Sequence, residues 1–327
     1  MSSSVPPSGS GPFGLDPAVA GAGFCVLAAL GYTAANICLR QLAALGCDPM
    51  WAVCNKEMVA VWVAGPWLLV QLLRGTIRRP PPRTLGMLVL VGLAVQLGGN
   101  VGVQWALGVI GLALVIPVNV GTMLVSSALL GRLLLGERLS LRSVAAMGLL
   151  VVAVGLLGQG AGASAPVAQS AVTAHWGIVC VALACIAGVI YALFSIAIRH
   201  CVTGGTHMTI VVLVVTATGG LTLGPLSLAR LGVGPLLGTP WLHLAWMLAA
   251  GVCNLAGFLA IARALQLTTV VHANMMNSSQ VALAAVAGIV LFGERANVWL
   301  VSGVLLTIVG ILMIGRPTSQ EVVVEGV

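Results

Sequence analysis

Lys56 and Glu57 are adjacent charges inside an apolar segment that begins near Met50. An ionisable group in such a segment costs at least several kcal/mol to bury unpaired, so it marks function by default. This pair suits contact with a solute or carriage of a coupled proton, and Glu57 is the first choice for the proton. Successive helical residues point about 100° apart, so the two are not expected to share one face. Lys56 also lies roughly 10 Å from the helix start at 1.5 Å per residue, close enough for its ammonium to snorkel outward.

Uncharged polar side chains recur at helical spacing elsewhere. Tyr32, Asn36 and Arg40 fall at i, i+4 and i+8, and Tyr191, Ser195 and Arg199 repeat the pattern. Gln96, Asn100 and Gln104 make a third stripe, with Asn254 as a later counterpart of Gln96. In lipid such stripes face the protein interior or a water-filled cavity, or bond helix to helix. Amides both donate and accept, which suits a polar solute with mixed hydrogen-bonding groups. Pro117, Asn119, Thr122 and Ser126 form one polar, kink-prone helix start, and His272, Asn274, Asn277 and Gln280 form another. The candidate solute site is therefore Tyr32, Asn36, Lys56, Gln96, Asn100, Asn119, Tyr191, Ser195, Asn254 and Asn277. Glu57 and His272 are the proton-coupling candidates, the latter because imidazole titrates near neutrality.

Competing chemistries lack their residues. Aspartyl proteolysis needs two buried aspartates, but Asp16 and Asp48 both fall near helix ends; an HExxH motif is absent, and His272 has no serine in a strained glycine-flanked turn. No catalytic residue, metal or cofactor is expected. The eight cysteines lie singly, without a CxxC pair or neighbouring histidines, and read as small core residues. Trp51, Trp176, Trp241 and Trp299 fall at span ends as an interfacial belt, whereas Trp62, Trp67, Trp105 and Trp246 sit deeper, as packing or as rings for a solute.

The elements that position these residues follow from composition. The 327 residues carry 14 basic and 7 acidic side chains, 59% are apolar, and mean hydropathy is +1.11. A soluble globular chain has about a quarter of its residues charged. Each span takes roughly 20 apolar residues, and ten fit, at about 17–40, 49–73, 84–106, 110–135, 141–159, 175–199, 206–229, 241–266, 268–292 and 297–314. The net charge of +7 rests on one lysine and scattered arginines without interleaved aromatics, which excludes nucleic acid. With the N-terminus inside, ten arginines fall on inner connections and three, Arg40, Arg230 and Arg295, outside. That asymmetry places both termini in the cytoplasm of a multi-pass cell-membrane protein, expected in a bacterial inner membrane. The partners are lipid and a small-molecule solute; oligomeric state is open.

A displacement of 157 to 159 residues recurs along the chain. Leu135-Gly136-Glu137-Arg138 returns as Phe292-Gly293-Glu294-Arg295, Ala106-Leu107 as Ala264-Leu265, Gln96 as Asn254, and Tyr32 and Arg40 as Tyr191 and Arg199. Five spans per copy is odd, so the second copy enters the membrane inverted, with the solute site near the midplane between copies. The Gly-Glu-Arg segments would then lie at opposite faces, where a structural role at the helix ends is expected.

Ala-Leu, a Pro/polar helix, Leu-Gly-Glu-Arg and a glycine-rich helix (Gly148/Gly155 and Gly303/Gly310) resemble the EamA-type repeat of the drug/metabolite transporter superfamily over residues 17 to 315. One departure is Lys56, where the family usually has arginine. The resemblance implies an all-α integral membrane protein of ten helices in two inverted five-helix repeats. The implied parts are a tail (1–16), a first repeat (17–159), a linker (160–174), a second repeat (175–315) and a C-terminal tail (316–327). It implies a secondary-active transporter of a small polar or amphipathic metabolite, amino-acid-like or a related export substrate. Organic cations or drug-like compounds are the alternative cargo; a non-transporting receptor or scaffold is the other reading.

Overall fold

Without water to satisfy its backbone, an apolar run crosses lipid by closing its own hydrogen bonds as a helix. The computed structural model describes residues 17–77, 80–136, 141–162, 171–292 and 298–314, and no strand occurs among them. In chain order the helices are α1 (Pro17–Ala44), α2 (Pro49–Leu73), α3 (Pro82–Leu93), a π-helical turn (Ala94–Asn100), α4 (Val101–Ile110), α5 (Leu112–Leu135), α6 (Leu141–Gly162) and α7 (Ala171–Thr203). There follow α8 (Met208–Leu231), α9 (Val233–Leu237), α10 (Trp241–Leu267), α11 (Val270–Asn277), α12 (Ser279–Phe292) and α13 (Val298–Ile314).

Eight passages among the described residues are long and apolar enough to cross a membrane; shorter apolar stretches lie at Val144–Leu156 in α6 and Val301–Gly310 in α13. Two expected helices are interrupted. The third divides at the π-helical turn, which holds Gly98 and Gly99, and the ninth divides at Ser278 between α11 and α12. The ends of the expected linker are helical, belonging to α6 and α7, while 163–170 lies outside the described residues. Gly136 ends α5 at φ 65°. Both Gly-Glu-Arg motifs otherwise fall on 137–140 and 293–297, outside the described residues, as do both expected tails.

Local rules set the helix that carries the charges. Asp48 caps α2 by accepting from the Met50 and Trp51 amides, with Pro49 in the first turn, where its missing N–H costs nothing. The same carboxylate meets Arg230 at the end of α8, 3.0 Å away. Further along, Cys54 approaches the Gly220 carbonyl and the Trp67 ring lies 5.6 Å from that of His207. Residue numbers rise on α2 as they fall on α8, so the two helices are antiparallel. The same holds for α6 and α13, where Arg142 donates to the Met313 carbonyl and Leu150 packs at Gly310.

The principal packings are α1 on α10, α7 on the π turn and α4, α5 on α7, α11 and α12 on α1, α2 on α8, and α6 on α13. Exchanging segments about 158 residues apart maps this set of packings onto itself. The outer surface is apolar, with Trp62 73% and Trp241 78% exposed. Trp62 therefore faces outward and is no ring for an internal solute. Trp105 packs edge-to-face on Trp176 at 5.5 Å. All eight cysteines are free, five of them buried, in line with their reading as core residues.

Candidate functional site

Close helix approach brings the two tyrosine-bearing helices to the centre. A Cβ on Gly31 of α1 would stand 2.9 Å from the Cys253 carbonyl oxygen of α10, and one on Gly257 would stand 3.1 Å from the Tyr32 ring. In the related packing, a Cβ on Gly99 would reach within 2.9 Å of the Tyr191 ring. Only glycine lets these backbones come so near. Gly188 does the same between α7 and α5, where a side chain would meet the Asn119 carbonyl oxygen at 2.5 Å.

The helices so drawn together leave a cavity of about 140 Å³. Its lining includes Tyr32 and Asn36 from α1, Lys56 and Glu57 from α2, Gln96 and Asn100 from the π turn, and Asn119 from α5. The later half adds Tyr191 and Ser195 from α7, Asn254 from α10, and Asn277 at the end of α11. All ten candidate solute residues and Glu57 thus border one space. Asn274 and Gln280 join them.

Polar side chains here hold one another as well as the cavity wall. The Tyr191 hydroxyl donates to Asn100 Oδ1 at 2.8 Å, and Asn100 Nδ2 donates to Gln96 Oε1 at 2.8 Å and to Glu57 Oε1 at 3.2 Å. Gln96 Nε2 donates to the Val215 carbonyl at 3.1 Å, and Asn119 Nδ2 to that of Ala184 at 3.1 Å. Ser195 donates to Asn274 Oδ1 at 3.3 Å, and Asn274 Nδ2 to Ser127 at 2.7 Å. Asn277 Oδ1 is buried without a described partner.

Several expectations need correction. Lys56 neither snorkels nor points away from Glu57: Nζ lies 2.9 Å from Oε1, with both side chains under 5% exposed. A four-carbon stem spans the angular gap that helical geometry sets between their Cβ atoms. Gln104 lies outside the lining; it donates to the Leu39 carbonyl of α1 at 3.1 Å. Arg199 lies outside the lining and donates to the Thr268 carbonyl. His272 also lies outside it, in the first turn of α11, where its amide donates to Thr269 Oγ1. It is two residues from Asn274, hence about 200° around the helix.

Sequence reasoning missed Phe194 and Phe258, which line the cavity and meet edge-to-face at 5.3 Å. A signal existed: they follow Tyr191 by three residues and Asn254 by four, on the same faces. It also missed Gly219 and Gly251. A Cβ on Gly219 would stand 2.8 Å from Gln96 Cδ, and one on Gly251 would stand 2.7 Å from the Lys56 carbonyl oxygen. No group of three metal-ligating His, Cys, Asp or Glu side chains occurs among the described residues.

Apolar helices of membrane-crossing length packed around a central polar cavity describe a multi-pass membrane protein. Residues 178–316, in the later half, match the model of the EamA-like transporter family. A protein known from its crystal structure is similar over 91% of this chain and 94% of its own, at 17% identity and a TM-score of 0.63, and shares the fold. No curated protein sequence matches the chain.

Proposed function

We propose that this protein is a secondary carrier moving a small polar or amphipathic solute of amino-acid size by alternating access between two inverted five-helix halves. The observation that carries this reading is the cavity itself, lined by amides from both halves and bordered by a buried ion pair. A volume near 140 Å³ compares with the roughly 150 Å³ apolar cavity that admits benzene, so a solute of about that bulk fits. Antiparallel α2 and α8, which are equivalent at the 158-residue displacement, support inversion, as do α6 and α13. A central site between inverted repeats is the arrangement from which carriers rock.

Lys56 neutralises Glu57, which disfavours a simple organic cation as cargo. Both termini lie in the cytoplasm of a bacterial inner membrane in this reading, on the arginine distribution. Glu57 is the carboxylate in the lining at which a coupled proton would ride. The test is flux in proteoliposomes, preceded by a thermal-shift screen against amino acids, other metabolites and organic cations. Saturable uptake of a stabilising solute is expected, and its pH dependence should disappear in Glu57→Gln. Unchanged pH dependence removes the coupling role, and absence of both stabilisation and flux across the panel removes the carrier.

A further inference from the structure

Lys56 and Glu57 hold each other, yet neither uses its full hydrogen-bonding capacity on protein partners among the described residues. An ammonium has three donors, and Lys56 Nζ has one described partner, Glu57 Oε1. A carboxylate has about four acceptor sites, but both described partners of Glu57, Lys56 and Asn100, take the same oxygen. Structural ion pairs in dry interiors need their remaining lone pairs and protons satisfied to offset desolvation. This pair keeps capacity in reserve and borders open volume.

Charge balance gives that reserve a use. A cavity with one unpaired charge resists closure, because closure strips the water from that charge. With the pair joined, the empty cavity is neutral. A singly charged solute would satisfy one member and strand the other. A zwitterion offers a new partner to each: its carboxylate to Lys56 and its ammonium to Glu57, with the total still zero. Tyr32, Tyr191, Phe194 and Phe258 then remain as ring surface for the rest of the solute.

We infer that the Lys56–Glu57 pair is the zwitterion-recognition element of this cavity, an internal stand-in for the solute that opens onto a carboxylate and an ammonium and re-forms when they leave. The inference rests on reading the cavity as the solute site. It makes both residues determinants of solute charge, each selecting for the group opposite to itself.

The experiment uses the purified full-length chain and thermal shift against two matched series. These are L-leucine with 4-methylpentanoate and 3-methylbutylamine, and L-phenylalanine with 3-phenylpropanoate and 2-phenylethylamine. The native protein should be stabilised by a zwitterion over its singly charged analogues by roughly ten- to hundredfold in affinity, the scale of one charge-assisted hydrogen bond. Glu57→Gln should shift preference to the carboxylates and Lys56→Gln to the amines. If the single variants do not fold, Lys56→Gln/Glu57→Gln decides: it should fold and lose the zwitterion response. Overturning results are equal binding of a zwitterion and its analogues, unshifted preference in the variants, no response to either amino acid, or a double variant that keeps native affinity. Flux is read separately. Charge-swapped binding without transport removes the carrier and leaves this inference; transport without charge dependence does the reverse.

Discussion

Asn119 and Asn277 are 158 residues apart and both line the cavity, as do Gln96 and Asn254 at the same displacement. Lys56 and Glu57 have no such counterparts, because adding 158 leads to Val214 and Val215. Val215 even lines the cavity, yet contributes only a carbonyl, to Gln96. The later half supplies space instead: Gly219 of α8 and Gly251 of α10 sit where a side chain would strike Gln96, Glu57 or the Lys56 backbone. Amides are shared by the halves, whereas charge belongs to one and the room for it to the other. Under the two-repeat carrier reading proposed above, that is a division of labour, since a second buried pair would add desolvation cost without adding selectivity.

This contrast can be broken most severely at the charge. Lys56→Ala leaves Glu57 unpaired and should cost about 3–5 kcal/mol, read as a lowered melting temperature, while Lys56→Ala/Glu57→Ala should recover most of the loss. A single variant as stable as the native protein would mean that the pair is not desolvated. Next comes the space. Gly251→Ala meets the Lys56 carbonyl, which cannot move alone, and overpacking of this kind costs roughly 1–3 kcal/mol. Gly86→Ala, in helix α3 with nothing within 4 Å, is the matched control and should melt no lower than the native chain, since alanine favours the helix.

The paired tyrosines sharpen the comparison further. Tyr191→Phe removes the bond to Asn100 and should lower stability by about 1 kcal/mol. Tyr32→Phe should not, since its hydroxyl makes no described hydrogen bond. Equal effects would show that the network is symmetric after all. The smallest change is expected at the ion pair that does join the halves, Arg230 with Asp48, where the arginine is largely exposed. Arg230→Gln should cost under about 1 kcal/mol, and less as salt is raised.

Much of the site was legible because helical spacing encodes a face. Asn36 four residues after Tyr32, or Ser195 four after Tyr191, lie on one side of any regular helix. A shared face does not fix what a side chain meets. Gln104 obeys the same spacing from Asn100, yet one turn further on it meets α1 and donates to the Leu39 carbonyl. Lys56 and Glu57 defeated an argument from Cβ directions, since long side chains can meet across 100°.

Composition and periodicity by themselves determined that this chain is helical, apolar outside and polar along particular stripes, because lipid forces backbone bonds to close locally. The displacement near 158 residues likewise announced which positions correspond. Only the tertiary structure decided that stripes from six segments border one cavity, that a lysine and a glutamate join there, and that His272 stays apart. Those outcomes depend on how closely helices approach at glycines distant in sequence, a quantity that no single segment contains.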